Sequence, residues 1–281
     1  MNDTSYLRIG LLLPEVLGTY GDSGNAEILK IRAEKRGIPA EIIHVSIGQK
    51  IPQNLDIYTL GGGEDTAQAI AAHHLKTDDG LAKAVEKGAV VLGICAAMQV
   101  LGQWYLDAQG NKVAGAGLLD VVTVPQGGRA IGEILTKPAL AELTEQLVGF
   151  ENHGGATLLG ADAHPLGYVQ AGIGNGQAGV APEKAHSVSD ATQNVVNADS
   201  IRENTDIPAG YRSREGEHIF EGATQGSIIA TYMHGPVLAR NPELADLLIA
   251  RATALALPPL EIPGISRLRA ERIAVARKHN E

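Results

Sequence analysis

The chain has 281 residues, 44% of them apolar, with 34 glycines and only ten aromatics, so a sizeable core must be built from Val, Ile, Leu and Ala between many tight turns. A net charge of −9 argues against a surface that binds nucleic-acid phosphates, and a single cysteine excludes an internal disulfide and fits a reducing compartment. The amino-terminal stretch lacks the basic region and apolar run of a signal peptide, and no apolar run approaches the ~20 residues that span a bilayer; these features predict a cytoplasmic protein.

Strand-like apolar runs alternate with helical patterns through the first hundred residues. Leu7–Leu13 reads as a buried strand, Ser23–Arg36 as a helix stopped by Gly37, and Ala40–Val45 as the next strand. Asp56–Leu60 is a short strand running into Gly61-Gly62-Gly63. Residues 64–87 are helical with a break near Thr77–Gly80, Ala89–Ile94 is a strand, and Ala96–Tyr105 a helix. Such alternation predicts an α/β fold, with a mostly parallel central sheet covered by helices on both faces. Beyond Gly110 the runs shorten: Leu118–Val124, Arg129–Leu135, Val148–Glu151, Tyr168–Ala171 and Ile228–Met233 predict a continuation of the sheet that is more antiparallel and richer in loops. Residues 174–222 are rich in Gly, Asn, Ser and Ala without sustained periodicity and read as an exposed insertion. Helices are expected at Pro242–Leu257, with Pro in the first turn and Pro258-Pro259 as a stop, and at Ile265–His279, whose basic run reads as a solvated face. The whole chain reads as one domain, with residues 260–281 as a carboxy-terminal helix.

The lone cysteine, Cys95, falls where a strand meets a helix, in Gly93-Ile94-Cys95-Ala96-Ala97. That is the geometry of a nucleophile elbow: a tight turn lifts the side chain above the carboxyl edge of the sheet, beside free N–H groups at a helix start. Ala97 stands where such an elbow ordinarily ends in glycine. A buried structural cysteine is the alternative, but active sites gather at the ends of parallel strands, which favours the nucleophile. A nucleophile of this kind needs an oxyanion site and a base. Gly61, Gly62 and Gly63 end the preceding strand and are candidates for the first. The triplet lacks the lysine of a phosphate-binding loop, and no other nucleotide signature is present. Among nine histidines, His73, His74, His186, His218 and His279 fall in polar or flexible segments, His44 reads as packing inside a strand, and His153 and His164 lie in loops. His234 ends the strand Ile228–Met233 and precedes Gly235-Pro236, which makes it the candidate base, with His153 in reserve. No Cys/His spacing suggests zinc.

The glycine loop, cysteine elbow and strand-end histidine resemble class I glutamine amidotransferases with a flavodoxin-like fold, within them the CobB/CobQ-like branch, and in that branch the glutaminase subunits of lipid II isoglutaminyl synthases. The resemblance rests on Tyr20-Gly21-Asp22-Ser23-Gly24-Asn25, Gly61-Gly62-Gly63-Glu64-Asp65, Gly93-Ile94-Cys95, Gly149-Phe150-Glu151-Asn152-His153-Gly154-Gly155 and Thr231-Tyr232-Met233-His234-Gly235-Pro236. It implies Cys95 as nucleophile, His234 as general base, the Gly61–Gly63 loop as oxyanion contacts and Arg129 as the group that holds the glutamine substrate, a role suited to pairing with a free carboxylate. Glu151, Asn152 and His153 are secondary candidates. Many relatives carry a glutamate two residues after the histidine to orient it; here Pro236 occupies that place, so the orienting acid is expected from a partner subunit. The resemblance further implies no cofactor or metal in this chain, L-glutamine as substrate, and a heterodimer with a MurT-like, Mur-ligase-type subunit that binds ATP and lipid II and uses the ammonia. A cobyric-acid-type acceptor, a non-catalytic regulatory subunit and a redox-sensing thiol protein are the competing readings; the chain's start at the amidotransferase strand, without a fused ATP-binding domain, favours the separate subunit.

Overall fold

A computed structural model describes residues 6–18, 20–175 and 207–278. Its frame is a six-stranded sheet in the order β12-β13-β4-β3-β1-β2. The five strands β1 (Leu7–Leu12), β2 (Ala40–Val45), β3 (Ile57–Leu60), β4 (Val90–Ile94) and β13 (Ile228–Thr231) run parallel, and only the edge strand β12 (Ala223–Gln225) is antiparallel. The parallel central sheet and every helix expected up to β4 are present: α1 (Gly24–Glu34), α2 (Asp65–Thr77) and α3 (Gly80–Glu86), the last two separated at the predicted break.

Side-chain alternation on β4 shows why the run Val90–Ile94 is apolar throughout. Val90, Leu92 and Ile94 join the core beneath α1 and α6 (Pro242–Thr253), whereas Val91 faces the opposite core, where α4 (Ala96–Leu101) lies. A strand covered on both faces has no solvent side to make polar. Gly93 faces α4, and a side chain there would meet Leu101 Cδ1 at 2.9 Å; the glycine lets the helix pack directly on the strand. Across the other face, α1 and α6 are tied by Asp246, which accepts hydrogen bonds from Arg32 and Arg36, each at 2.7 Å.

Beyond α4 the structure departs from the sequence reading. The next strands do not extend the first sheet; a second, seven-stranded sheet forms instead, in the order β10-β11-β9-β7-β5-β6 with β8 also paired to β7, and of the runs expected beyond Gly110 only Ile228–Met233 joins the first sheet, as β13 beside β4. The helix expected over Ala96–Tyr105 stops at Leu101, and Trp104–Leu106 becomes β5, hydrogen-bonded to β6 (Lys112–Ala114) and β7. Aromatic and apolar residues there pack as strand against Val122, Val124 and Leu158, overriding the helical periodicity. The two short runs around Gly127-Gly128 merge into one strand, β7 (Val121–Pro138), antiparallel to β8 (Leu147–Leu159), with a register shift between Pro125 and Ala130. Part of the expected insertion lies outside the described residues, at 176–206. The described end of it is no exposed loop: β11 (His218–Glu221) pairs with β9 (Gly167–Ala171), with Phe220 and Glu221 fully buried, and β10 (Arg214–Glu215) pairs with β11. After β13 come α5 (Val237–Arg240), α6 and α7 (Ile265–Lys278). The basic residues of α7 do more than face solvent. Arg269 donates to Arg240 O and Asn241 Oδ1, and Arg272 reaches Glu133, fastening the helix to the body.

Candidate active site

The strand order places the site. Cys95 is one residue past β4, which lies between β3 and β13, so the loop after β3 and the segment after β13 flank it. The Cys95 amide donates to Thr231 O at 2.7 Å, joining the two strand ends. Cys95 has φ 54° and ψ −109°, a conformation that L-residues rarely hold and that marks a strained elbow between strand and helix. Ala97 is completely buried against Gly93, so the alanine in place of the usual glycine fits the turn.

His234 reaches the same point from β13. Its backbone is clamped to β8 by reciprocal hydrogen bonds with Phe150, 2.9 and 3.2 Å long. Gly62 lies between the two side chains: a Cβ on it would stand 2.9 Å from His234 Cε1 and 3.4 Å from Cys95 Cβ. The sequence reading thus brings together the residues it paired, thiol and imidazole, across one glycine.

The imidazole is oriented from within the chain. Asp22, in the loop after β1, accepts from His234 Nδ1 at 2.9 Å through Oδ2, with Oδ1 at 3.1 Å. Both side chains are buried, at 2% and 0% exposure. This corrects the expectation that a partner must supply the acid. Pro236, where relatives carry a glutamate, instead packs against Gly24 at the start of α1, with no room left for a side chain on that glycine. The signal was present in the quoted Gly21-Asp22-Ser23-Gly24-Asn25 segment, but linking it to His234 requires knowing that β1, β3, β4 and β13 lie in that order. Glu243 is placed elsewhere, capping the 144–145 turn through Thr144 and Glu145 amides.

Burial disfavours a proton on His234, but hydrogen bonds and charge from Asp22 and the Cys95 sulfur outweigh it and raise the imidazole to about 9. Nε2 makes no hydrogen bond of ordinary geometry among the described residues, which leaves it open toward the sulfur and an incoming group. Tyr20 covers the ring, with centroids 4.8 Å apart. Beneath the site, burial pushes Glu221 up to about 7; its Oε1 accepts from Thr231 Oγ1 and the Tyr232 amide, and Oε2 has no partner among the described residues.

The glycine triplet does not act as a unit. The Gly62 amide is engaged by Asp22 Oδ2 at 2.9 Å, so it is not a free oxyanion donor. Gly61 is packed on the loop before Asp22, where a Cβ would stand 2.3 Å from Leu17 O. Only Gly63 lines the cleft, together with Cys95 and Ala96. Ala96 is the first residue of α4, whose amide has no acceptor within the helix.

The cleft, about 240 Å³, lies between the two sheets. One wall carries Cys95, Gly63 and Gln99, the other Arg129, Asn152 and His153. Arg129 leaves β7 at the register shift after Gly127-Gly128 and donates to Asn152 Oδ1 at 2.6 Å. His153 is not in a loop: it is buried in β8, stacked on Tyr232 at 3.7 Å, with Nδ1 on Gly155 O and Nε2 near Glu151. Those contacts remove it as a reserve base. Glu151 accepts the Ile173 and Gly174 amides and serves the fold. His44 is exposed on edge strand β2 rather than packed, and His186 and His279 lie outside the described residues. Among the described residues no group of three or more His, Cys, Asp or Glu could hold a metal ion, and no helix is long and apolar enough to cross a membrane.

The chain is 32% identical over 249 residues to the lipid II isoglutaminyl synthase (glutamine-hydrolyzing) subunit GatD of Streptococcus pneumoniae, covering 88% of this chain and 80% of that protein. It is 29% identical over 280 residues to the subunit of the same name from Staphylococcus aureus, covering 98% and 97%. A cobyric acid synthase of Sphingopyxis alaskensis is 32% identical over 147 residues, 48% of this chain and 28% of that protein. The CobB/CobQ-like glutamine amidotransferase domain matches residues 8–198, a span that holds the cysteine elbow, the Asp22 loop and Arg129, and the chain accordingly belongs to that family of glutamine-hydrolysing enzymes.

Proposed function

We propose that this chain is the glutaminase subunit of a lipid II isoglutaminyl synthase, which releases ammonia from L-glutamine for amidation of the D-glutamate α-carboxyl of the peptidoglycan stem peptide. The likeness to the two GatD subunits, over at least 80% of each chain, supports the acceptor; the cobyric acid synthase aligns over only about half of this chain. The observation that carries the chemistry is the set Cys95, His234 and Asp22, with Cys95 lining a cleft that Arg129 also lines and the buried His234–Asp22 pair behind it. Ammonia alone does not make an amide: the acceptor carboxyl must be activated, and the sequence has no phosphate-binding lysine loop. An ATP-dependent, MurT-like ligase subunit therefore completes the enzyme, and the lipid II it holds brings the pair to the inner face of the membrane.

The side-chain carboxamide of glutamine enters with its α-carboxylate toward Arg129. His234 takes the thiol proton, and the Cys95 sulfur attacks as the anion. A C–S bond forms, and the carbonyl electron pair moves to oxygen, which the Gly63 and Ala96 amides face. The tetrahedral adduct collapses, the C–N bond breaks, and the departing nitrogen takes the proton from His234 to leave as ammonia. Water then attacks the γ-glutamyl thioester, giving its proton to His234; glutamate departs and the sulfur anion is restored. Asp22 holds the ring in the tautomer whose Nε2 faces the sulfur and stabilises the imidazolium.

In the reconstituted pair, Cys95→Ala abolishes amidation driven by glutamine and leaves amidation driven by ammonium intact. Amidation of lipid II by the variant at the wild-type rate with glutamine contradicts the proposal.

A further inference from the structure

Three residues form a strap across the mouth of the cleft. Arg129 Nε donates to Asn152 Oδ1 at 2.6 Å, and Asn152 Nδ2 donates to Tyr20 Oη at 2.6 Å. Tyr20 belongs to the loop after β1 of the first sheet, whereas Asn152 and Arg129 belong to β8 and β7 of the second. The strap therefore closes the gap between the layers, and Tyr20 also lies over the His234 ring. Tyr20 holds φ +60°, unusual for a bulky residue, and remains 48% exposed, so its position is not a product of core packing. Arg129 is exposed as well, and its two Nη groups make no hydrogen bond among the described residues.

An exposed arginine samples many rotamers and loses that freedom on binding. Here Nε is already occupied, and the Nη edge is left open, the edge that pairs with a carboxylate. Asn152 can serve both neighbours at once because its oxygen accepts while its nitrogen donates; Tyr20 fixes which way the amide lies. We propose that Asn152 and Tyr20 are positioning residues that hold Arg129 ready for the α-carboxylate of glutamine, so that recognition of the substrate's far end depends on a contact between the two sheets beside the reacting sulfur.

This rests on the glutaminase reading, and the test separates the two. The probes are 6-diazo-5-oxo-L-norleucine, which carries the glutamine α-carboxylate, and iodoacetamide, which does not; each alkylates a reactive cysteine. Second-order labelling of Cys95 in the full chain is followed by mass spectrometry. Asn152→Ala slows labelling by the glutamine analogue about tenfold and Tyr20→Phe about threefold, through weaker binding, while iodoacetamide labelling changes less than about twofold. In an Arg129→Ala background, Asn152→Ala costs nothing further, as expected for a residue acting through Arg129. If the analogue shows no advantage over iodoacetamide in the wild type, the glutaminase reading fails. If the advantage is present but unchanged in Asn152→Ala and Tyr20→Phe, or if the Asn152→Ala loss persists without Arg129, the positioning role is overturned. A fall in both labelling rates together also overturns it, since that marks general damage.

Discussion

Asp22→Asn is the sharpest single perturbation of the site. The carboxylate accepts from the Gly62 amide and from His234 Nδ1, each at 2.9 Å on Oδ2, with Oδ1 at 3.1 Å from the same ring nitrogen. An asparagine of the same shape has one acceptor for these donors, and its amide nitrogen would face a ring N–H. The ring must then turn or adopt the tautomer that places hydrogen toward the sulfur. The rise of His234 from 6.5 to about 9 corresponds to about 3 kcal/mol in favour of the protonated ring, with Asp22 its leading favourable cause. Losing that support at the transition state costs about a hundredfold in kcat, and the wrong tautomer carries the loss toward ~10⁴-fold, as in Ser-His-Asp enzymes. The assay is glutamate release at saturating glutamine, by the full chain alone and with the proposed ligase subunit, across pH. The expected result is a loss of at least ~100-fold in kcat, with KM little changed and the alkaline limb moved downward. Activity within about threefold of wild type, with an unshifted pH profile, refutes the reasoning and returns the orienting role to an acid from outside the chain.

Gly62→Ala forces a methyl within 2.9 Å of His234 Cε1; a ring displaced by a fraction of an ångström lowers glutamine turnover by about 10², and a variant of wild-type activity would show that the three side chains are not packed around this glycine. The proton given to the leaving ammonia sits on a group raised to about 9, so kcat/KM falls as pH rises through about 9; a profile falling near the ordinary histidine value of 6.5 contradicts the assignment. The same group adds stability that is fully present below about 6.5 and is lost as pH rises toward about 9. Glu221 is raised to about 7 by burial. Below its unfolded value of 4.5 both states hold the proton. Above it the unfolded chain releases a proton that the native chain retains until pH passes about 7, which costs the native state about 3 kcal/mol by pH 8. Glu221→Gln is therefore more stable than wild type in urea at pH 8, with the gain fading below pH 5; a variant less stable at pH 8 shows that burial does not hold the carboxyl above its ordinary range.

Cys95 and His234 are legible in the sequence because each sits at a local transition that leaves a mark, an apolar run ending in a turn, and because parallel strands bring their carboxyl ends to one edge. Asp22 leaves no such mark. It follows β1, two strands away from Cys95 in the sheet, and its loop folds back over Gly61 and Gly62 to reach the histidine. Looking for the acid along the chain from His234 finds Pro236 and stops there. The oxyanion assignment was coarse for a related reason: three identical glycines read alike in sequence, yet Gly61 packs on a loop, Gly62 serves Asp22, and Gly63 alone faces the cleft. Where the fold reading failed, around Trp104–Leu106 and His218–Glu221, short segments pair with distant strands β7 and β9, and no local periodicity encodes such partners.

The central claim is that Cys95 attacks glutamine and carries its acyl group. Acid-quenched full chain, mixed with glutamine on the deacylation time scale and mapped by mass spectrometry, should show a γ-glutamyl thioester on the peptide that contains Cys95 and on no other. Glutamate released at full rate by Cys95→Ala, or an acyl group found on a different residue, would contradict the account.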